Sequence, residues 1–95
     1  PIVKNFDTPH RQQMYDLISY IVRGKVRSSI LNVLDKPMTP TKIADLLKNH
    51  RSTISRSLLE MEKKGLVKCL TPKEKTGRLY TITKKGKIIL GKIRE

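Results

Sequence analysis

A chain of 95 residues is long enough for one domain with its own hydrophobic core, and too short to enclose a large active-site cavity. Its 21 lysines and arginines outnumber 8 aspartates and glutamates, so the formal charge is +13, which favours a phosphate-rich partner. The sequence has no membrane-spanning run, no signal-peptide pattern and no cysteine or histidine spacing typical of a zinc site. We therefore expect one cytoplasmic domain over residues 1–95, with no cofactor and no membrane contact.

The N-terminal part predicts an arm followed by an amphipathic helix. Residues 1–8 show no clear period, whereas Thr8 and Pro9 form a cap-then-proline signal that predicts a helix over residues 9–23. The apolar stripe of this helix is wider than a small core needs, which favours a homodimer contact through the helix. A helix that only covers the core of its own domain would explain the stripe equally well. The candidate dimer contacts are Met14, Leu17, Ile18 and Ile21.

Residues 25–65 predict a helical core that contains a helix-turn-helix. Gly24 separates the first helix from a second over Lys25 to Leu34, whose apolar face holds Val26, Ile30, Val33 and Leu34. Thr39 and Pro40 predict a third helix from about Thr41, with its stripe at Ile43, Leu46 and Leu47 and with Ala44 small enough to let a neighbouring helix approach. A fourth helix, from His50 to Lys64, would bury Ile54, Leu58 and Met61 and end at Gly65.

The first two turns of the fourth helix carry cations and hydroxyls without a carboxylate, on a face that the apolar stripe leaves exposed. Such a face suits a negatively charged, hydrogen-bonding groove, although a simply solvated turn gives the same pattern. The exposed leucine Leu59 lies on the shoulder of this face, where it would pack on a neighbouring strand or mark a protein contact. The candidate residues are His50, Arg51, Ser52, Thr53, Ser55 and Arg56.

After Gly65 the period changes to that of short strands. Residues 66–71 and 79–83 predict a β-hairpin over residues 66–83, with a basic loop from Pro72 to Arg78. We expect Cys69 to be a small apolar residue of the first strand. Thr83 can cap a final helix over residues 84–94, which should pack back on the domain. The predicted fold is therefore mainly α with a small β-hairpin: a three-helix core, a two-stranded wing and flanking N- and C-terminal helices.

Two segments, ADLLKNHRSTISRSLLEMEKKGLVKCL and TGRLYTITKKGK, resemble the MarR-like and ArsR-like winged-helix transcription regulators, especially small archaeal ones. The resemblance covers roughly residues 25–90. It implies that the helix over residues 50–64 enters the major groove of DNA and that the loop over residues 72–78 lies on the backbone or in the minor groove. By position it assigns base or phosphate contacts to Ser52, Thr53, Ser55 and Arg56, a phosphate contact to Thr41 and Lys42, and wing contacts to Lys73, Lys75, Thr76 and Arg78.

We therefore expect a double-stranded DNA-binding transcription regulator, with an unknown small-molecule effector if any. The alternative is a winged-helix protein-interaction module of a macromolecular assembly, which the acid-free fourth helix disfavours. RNA binding shares the charge signal, but usually places aromatic side chains on an open sheet. An enzyme is the weakest option. The sequence shows no nucleophile beside a plausible base, no carboxylate pair on a polar face and no glycine-rich phosphate-binding loop after a strand.

Overall fold

A computed structural model describes the backbone of residues 2–94 and the side chains of residues 13–93. Within residues 2–94 the chain forms five helices and one two-stranded antiparallel sheet, which confirms the predicted winged-helix arrangement. In chain order the elements are α1 (Ile2–Arg23), α2 (Lys25–Val33), α3 (Pro40–Leu47), α4 (Arg51–Lys63), β1 (Val67–Cys69), β2 (Tyr80–Ile82) and α5 (Lys84–Arg94).

Helix α1 begins at Ile2, so the predicted start at Pro9 is wrong, and residues 2–8 are helical where an arm was expected. Pro1 lies outside the described residues. A proline inside a helix removes one backbone hydrogen bond and crowds the preceding turn, but a helix can continue through it. The Thr8-Pro9 pair therefore lies within the helix.

The predicted break at Gly24 is confirmed. Gly24 has an extended backbone (φ −112°, ψ 104°), and α2 starts at the next residue. Ile30 of α2 and Leu34, which directly follows the helix, are buried as predicted. Val26 and Val33 are partly buried, and Leu31 is buried although the sequence pattern left it out. Helix α2 packs against α1, α3, α4 and α5, so more than one of its faces is covered.

Helices α3 and α4 form the predicted helix-turn-helix. The Thr39 side chain accepts a hydrogen bond from the Lys42 amide at 3.2 Å, and Pro40 occupies the first helical turn. Leu46 was expected in the buried stripe but is 52% exposed. The buried face of α3 is instead centred on Ile43 and Ala44, since a side chain as small as alanine lets the neighbouring helix approach closely.

The two strands of the wing are shorter than predicted, and one of them also pairs with the segment before α3. Strands β1 and β2 pair antiparallel with Val67 opposite Ile82 and Cys69 opposite Tyr80. On its other side, Tyr80 exchanges two backbone hydrogen bonds with Met38, at 2.8 and 3.0 Å. These bonds tie the wing to the segment that leads into α3, which fixes the hairpin relative to the helix-turn-helix.

The base of the wing joins α4 to α5. Gly65 ends α4 in the left-handed conformation (φ +80°), as predicted. The Thr83 hydroxyl donates to the Gly65 carbonyl at 2.6 Å and accepts from the Gly86 amide at 3.0 Å, so it caps α5 and holds this helix against the end of α4. Ile89 of α5 is buried, and α5 packs on α1 and α2, which confirms that the last helix folds back.

The core draws on every helix and both strands. Ile21 of α1 is completely buried and Leu17 is 9% exposed, so these two of the four candidate dimer contacts belong to the domain's own core. Met14 and Ile18 are partly buried. Among the described residues, no helix is long and apolar enough to cross a membrane. The fully buried side chains are Ile21, Ile30, Leu31, Leu34, Ile43, Ile54, Leu58, Met61, Leu66, Val67 and Ile89.

Candidate functional site

The start of α3, one face of α4 and the tip of the wing surround an open groove of about 230 Å³, which we call the α4–wing groove. Its walls are three cations, several small polar groups and a few apolar side chains, without an acidic residue among them. This composition is compatible in charge with a negatively charged partner. The lining residues are Pro40, Thr41, Arg51, Ser55, Leu59, Lys75, Thr76, Gly77, Arg78 and Tyr80.

Helix α4 presents two adjacent exposed stripes. Arg51, Ser55 and Leu59 follow one another at intervals of four residues and face the wing across the groove. Ser52 and Arg56 are exposed one position further round the helix. The structure therefore divides the candidate residues of this helix between a stripe that faces the wing and a stripe that faces outward.

The remaining two candidate residues of α4, Thr53 and His50, lie outside both stripes. Thr53 is half-buried, on the side of the helix away from the wing, and Ser55 in the groove is half-buried as well. His50 is exposed and occupies the capping position of α4, but its side chain makes no capping hydrogen bond. The first turn of α4 also has no acidic side chain, so the positive end of the helix is not neutralised by its own residues.

The wing tip is an ordered loop that displays cations. Lys73, Lys75 and Thr76 are exposed. Arg78 is half-buried, and its Nε donates to the Glu74 carbonyl at 2.6 Å, which closes the loop. Arg78 therefore has a structural bond in addition to its position in the groove. The loop is anchored at its base by the Leu79 amide, which donates to the hydroxyl of Thr71 at 3.0 Å.

The start of α3 lies on the opposite wall from the wing tip. Thr41 is exposed and lines the groove, whereas Lys42 is exposed but does not line it. Leu59 is 47% exposed in this groove, so it does not pack fully on a neighbouring strand as one interpretation of the sequence expected. Candidates that are far apart in sequence, from Thr41 to Arg78, thus surround one surface.

A second cluster, centred on Tyr20 of α1, was not predicted. The Tyr20 hydroxyl donates to Glu60 Oε1 of α4 at 3.2 Å. The Arg27 guanidinium lies 3.9 Å from the centre of the Tyr20 ring, and Lys64 Nζ lies 4.6 Å from it. This cluster connects α1 and α2 to the second half of α4. No local pattern could have revealed it, since Tyr20 and Glu60 are 40 positions apart.

The cluster also changes the acidity of Tyr20. Burial raises the pKa of its hydroxyl above the ordinary value, because the ionised form is poorly solvated there. The nearby Arg27 cation lowers this pKa, while Glu60 raises it through its charge and its hydrogen bond. The net shift is upward, so the neutral hydroxyl that donates to Glu60 is the favoured form.

Metal chemistry finds no support among the described residues. Within that part of the chain, no three histidine, cysteine, aspartate or glutamate side chains lie close enough to hold an ion. Cys69 is a partly buried free thiol at the end of β1. The α4–wing groove offers arginine, lysine and hydroxyl groups, which can attract negative charge and donate hydrogen bonds.

Comparison with known proteins identifies the family. Residues 15–95 match the family model described as the N-terminal domain of the methanogenesis regulatory protein FilR1. No curated protein matches the sequence. One similar solved structure, a MarR family transcription regulator, is 24% identical with a TM-score of 0.63, and the match covers 97% of this chain and 68% of that one.

A second similar structure is the multiple antibiotic resistance repressor, MarR. It is 20% identical with a TM-score of 0.66, over 99% of this chain and 72% of that one. At these identities the two structures show a shared fold, whereas the family match extends over most of the sequence. The chain belongs to the family of FilR1 N-terminal domains and is a winged-helix transcription regulator.

Proposed function

We propose that this regulator binds double-stranded DNA, with the first half of α4 in the major groove and the wing on the backbone or in the minor groove. The observation that carries the proposal is the α4–wing groove, in which Arg51, Lys75 and Arg78 converge and no lining residue is acidic. A major groove about 12 Å wide admits one α-helix, and phosphates border it on both sides. Cations on α4 and on the wing can therefore contact the same duplex.

The two stripes of α4 would have different partners. Arg56 and Ser52 face outward, where an arginine can pair with the edge of a guanine and a hydroxyl with either strand. Arg51 and Ser55 face the wing, and we assign them to the phosphates and bases at the side of the groove. Phosphate contacts are proposed for Thr41 and Lys42 at the start of α3, and for Lys73, Lys75, Thr76 and Arg78 on the wing.

The test is a salt titration of binding to duplex DNA. Five cations at this surface are assigned to phosphates: Lys42, Arg51, Lys73, Lys75 and Arg78. About five phosphate contacts imply that affinity falls roughly 500-fold between 50 and 200 mM salt, because binding releases the counterions of the phosphates. Fluorescence anisotropy with a labelled duplex measures this slope, and an affinity that does not change with salt would refute DNA binding.

The exposed leucines favour one second candidate, a protein-interaction module. Leu59 in the groove and Leu46 on α3 are about half exposed, and exposed leucines can mark a protein contact. The two candidates differ in what the Leu59→Ser substitution does. For a protein interface it should abolish binding of the partner, whereas for DNA it should leave the salt slope unchanged, since leucine contributes no charge.

We also propose homodimerisation through α1, on a smaller set of residues than the sequence suggested. Met14 and Ile18 remain accessible in part, next to the exposed Tyr15, whereas Leu17 and Ile21 are used by the core. Met14 also lines an apolar groove of about 420 Å³ between α1 and α5, together with Ile88. Two copies joined here would bind two half-sites about 34 Å apart, or a multiple of that distance.

A further inference from the structure

Six exposed lysines gather at the base of the wing, at the opposite end of α4 from the α4–wing groove. We call them the base cluster. They come from three elements that are separate in the sequence: the end of α4, the strand β1 and the start of α5. The cluster consists of Lys63, Lys64, Lys68, Lys84, Lys85 and Lys87.

Backbone and side-chain hydrogen bonds hold these elements together. The Thr83 amide donates to the Leu66 carbonyl at 3.0 Å, and the Thr83 hydroxyl donates to the Gly65 carbonyl at 2.6 Å. Across the same junction, Lys85 Nζ donates to the Lys64 carbonyl at 3.1 Å. The fold therefore brings the three segments that carry these six lysines to one junction.

The start of α5 is the electrostatically unfavourable part of this cluster, since Lys63 and Lys64 lie at the C-terminal end of α4, where the helix dipole favours cations. Lys84, Lys85 and Lys87 occupy the first turn of α5, where the helix dipole disfavours cations, and this turn has no acidic residue. Glu60 on the last turns of α4 already accepts a hydrogen bond from Tyr20. Folding thus concentrates positive charge without matching acidic partners in the first turn, and a bound anionic surface would compensate for it.

The geometry of α4 indicates where that surface lies. Arg51 and Lys63 are the first and last residues of α4, so a rise of 1.5 Å per residue places them about 18 Å apart. The major groove is only about 12 Å wide. If the first half of α4 occupies the groove, the other end leaves it at the edge, where the bordering phosphates lie.

We propose that the base cluster binds backbone phosphates of the same duplex beyond the C-terminal end of α4, away from the tip of the wing. The proposal rests on the DNA binding proposed above, and it makes this lysine surface a second, sequence-independent contact. The footprint would then extend past both ends of α4, with the tip of the wing covering one flank and the base cluster the other. Binding through this flank would add to affinity and to the salt slope, but not to sequence preference.

The experiment compares two double variants that remove the same charge. Lys84→Gln/Lys87→Gln reduces the base cluster, while Lys85 is kept because its side chain bonds to Lys64. Arg23→Gln/Lys25→Gln is the matched control, since Lys25 and Lys84 are each the first residue of a helix and all four side chains are exposed. Melting temperatures no lower than that of the wild type establish that the fold is intact, and the base-cluster variant should melt slightly higher because it loses two cations from the first turn of α5.

We expect the base-cluster variant to have a salt slope about two units shallower than the wild type, on preferred and random duplexes alike. Between 50 and 200 mM salt, the fold-loss of affinity should therefore be about 10 times smaller for this variant than for the wild type. The control variant should keep the wild-type slope. An unchanged slope in the base-cluster variant, or an equal change in the control, would overturn the inference while DNA binding itself stands. A wild type without salt dependence would instead refute the proposed function.

A second arm tests the assignment to the same duplex. On a duplex trimmed to the bases under the first half of α4 and the tip of the wing, the base-cluster variant and the wild type should bind alike, because the flanking phosphates are gone. A difference that persists on the trimmed duplex would overturn the assignment. It would also be overturned if the wild type links two separate duplexes in a pull-down and the base-cluster variant does not.

Discussion

Replacing Gly86 by alanine should destabilise the protein although alanine is the better helix former. Gly86 lies in the first turn of α5, and a Cβ there would overlap the carbonyl oxygen of Leu66 and approach Ile82 Cγ1 to 2.7 Å. Backbone at the base of the wing cannot move aside without breaking the bonds of Thr83 to Gly65 and to Gly86 itself. Such overpacking costs about 1–3 kcal/mol, and helix propensity returns about 1 kcal/mol at most.

We therefore expect a net loss of about 1–2 kcal/mol for Gly86→Ala, or a melting temperature lower by about 10 °C in a domain of this size. Gly91→Ala is the matched control, since Gly91 lies in the same helix and a Cβ there meets nothing within 4 Å. That variant should be about 0.5–1 kcal/mol more stable than the wild type. Urea unfolding followed by circular dichroism measures both. If Gly86→Ala gains as much stability as Gly91→Ala, then Gly86 does not lie as close to Leu66 and Ile82 as these distances require, and overpacking at this position is refuted.

Other predictions concern binding, acidity and association. Arg56→Ala should cost about 1–3 kcal/mol on the preferred site and relax preference at one position, and equal losses on random DNA in an anisotropy assay would place the base-contacting stripe elsewhere. Lys75→Ala should weaken all sequences alike and reduce the salt slope by about one; an effect on preference would contradict a phosphate role. Because the pKa of Tyr20 is raised, its contribution to stability is complete below pH about 10 and is lost as pH rises through the folded value. Tyr20→Phe should therefore flatten the fall of stability above pH 10 in urea unfolding, and an unchanged slope would argue against the shift. Ile18→Ser should shift the protein towards the monomer in sedimentation, and a wild type that is monomeric at high micromolar concentration would refute the dimer.

Local signals in the sequence determined where most elements begin and end. Thr39 and Pro40 start α3 because a hydroxyl can cap an amide within three residues, and Gly65 ends α4 because it can adopt a positive φ. The change of period after Gly65 predicted the wing, and the acid-free start of α4 marked the candidate site. These features depend on the chemistry of a few neighbouring residues, so a sequence is enough to show them.

The tertiary structure decided how those elements share their surfaces. Leu46 is exposed and Ala44 is buried because the approach of α4 selects the face of α3. Leu17 and Ile21 are core residues because α1 packs on α2 and α5, which leaves less of the stripe for a second copy. Both outcomes depend on the position of another helix, and apolar spacing alone is compatible with either.

Contacts between distant positions were also beyond the reach of the sequence. The pairing of Met38 with Tyr80, the Tyr20 cluster and the close approach at Gly86 each join residues that packing brings together. The same holds for the α4–wing groove, whose walls extend from Pro40 to Tyr80 along the chain. Residue types and their periods specify which side chains carry charge or bury apolar area, whereas the folded core specifies which of those charges face a common surface.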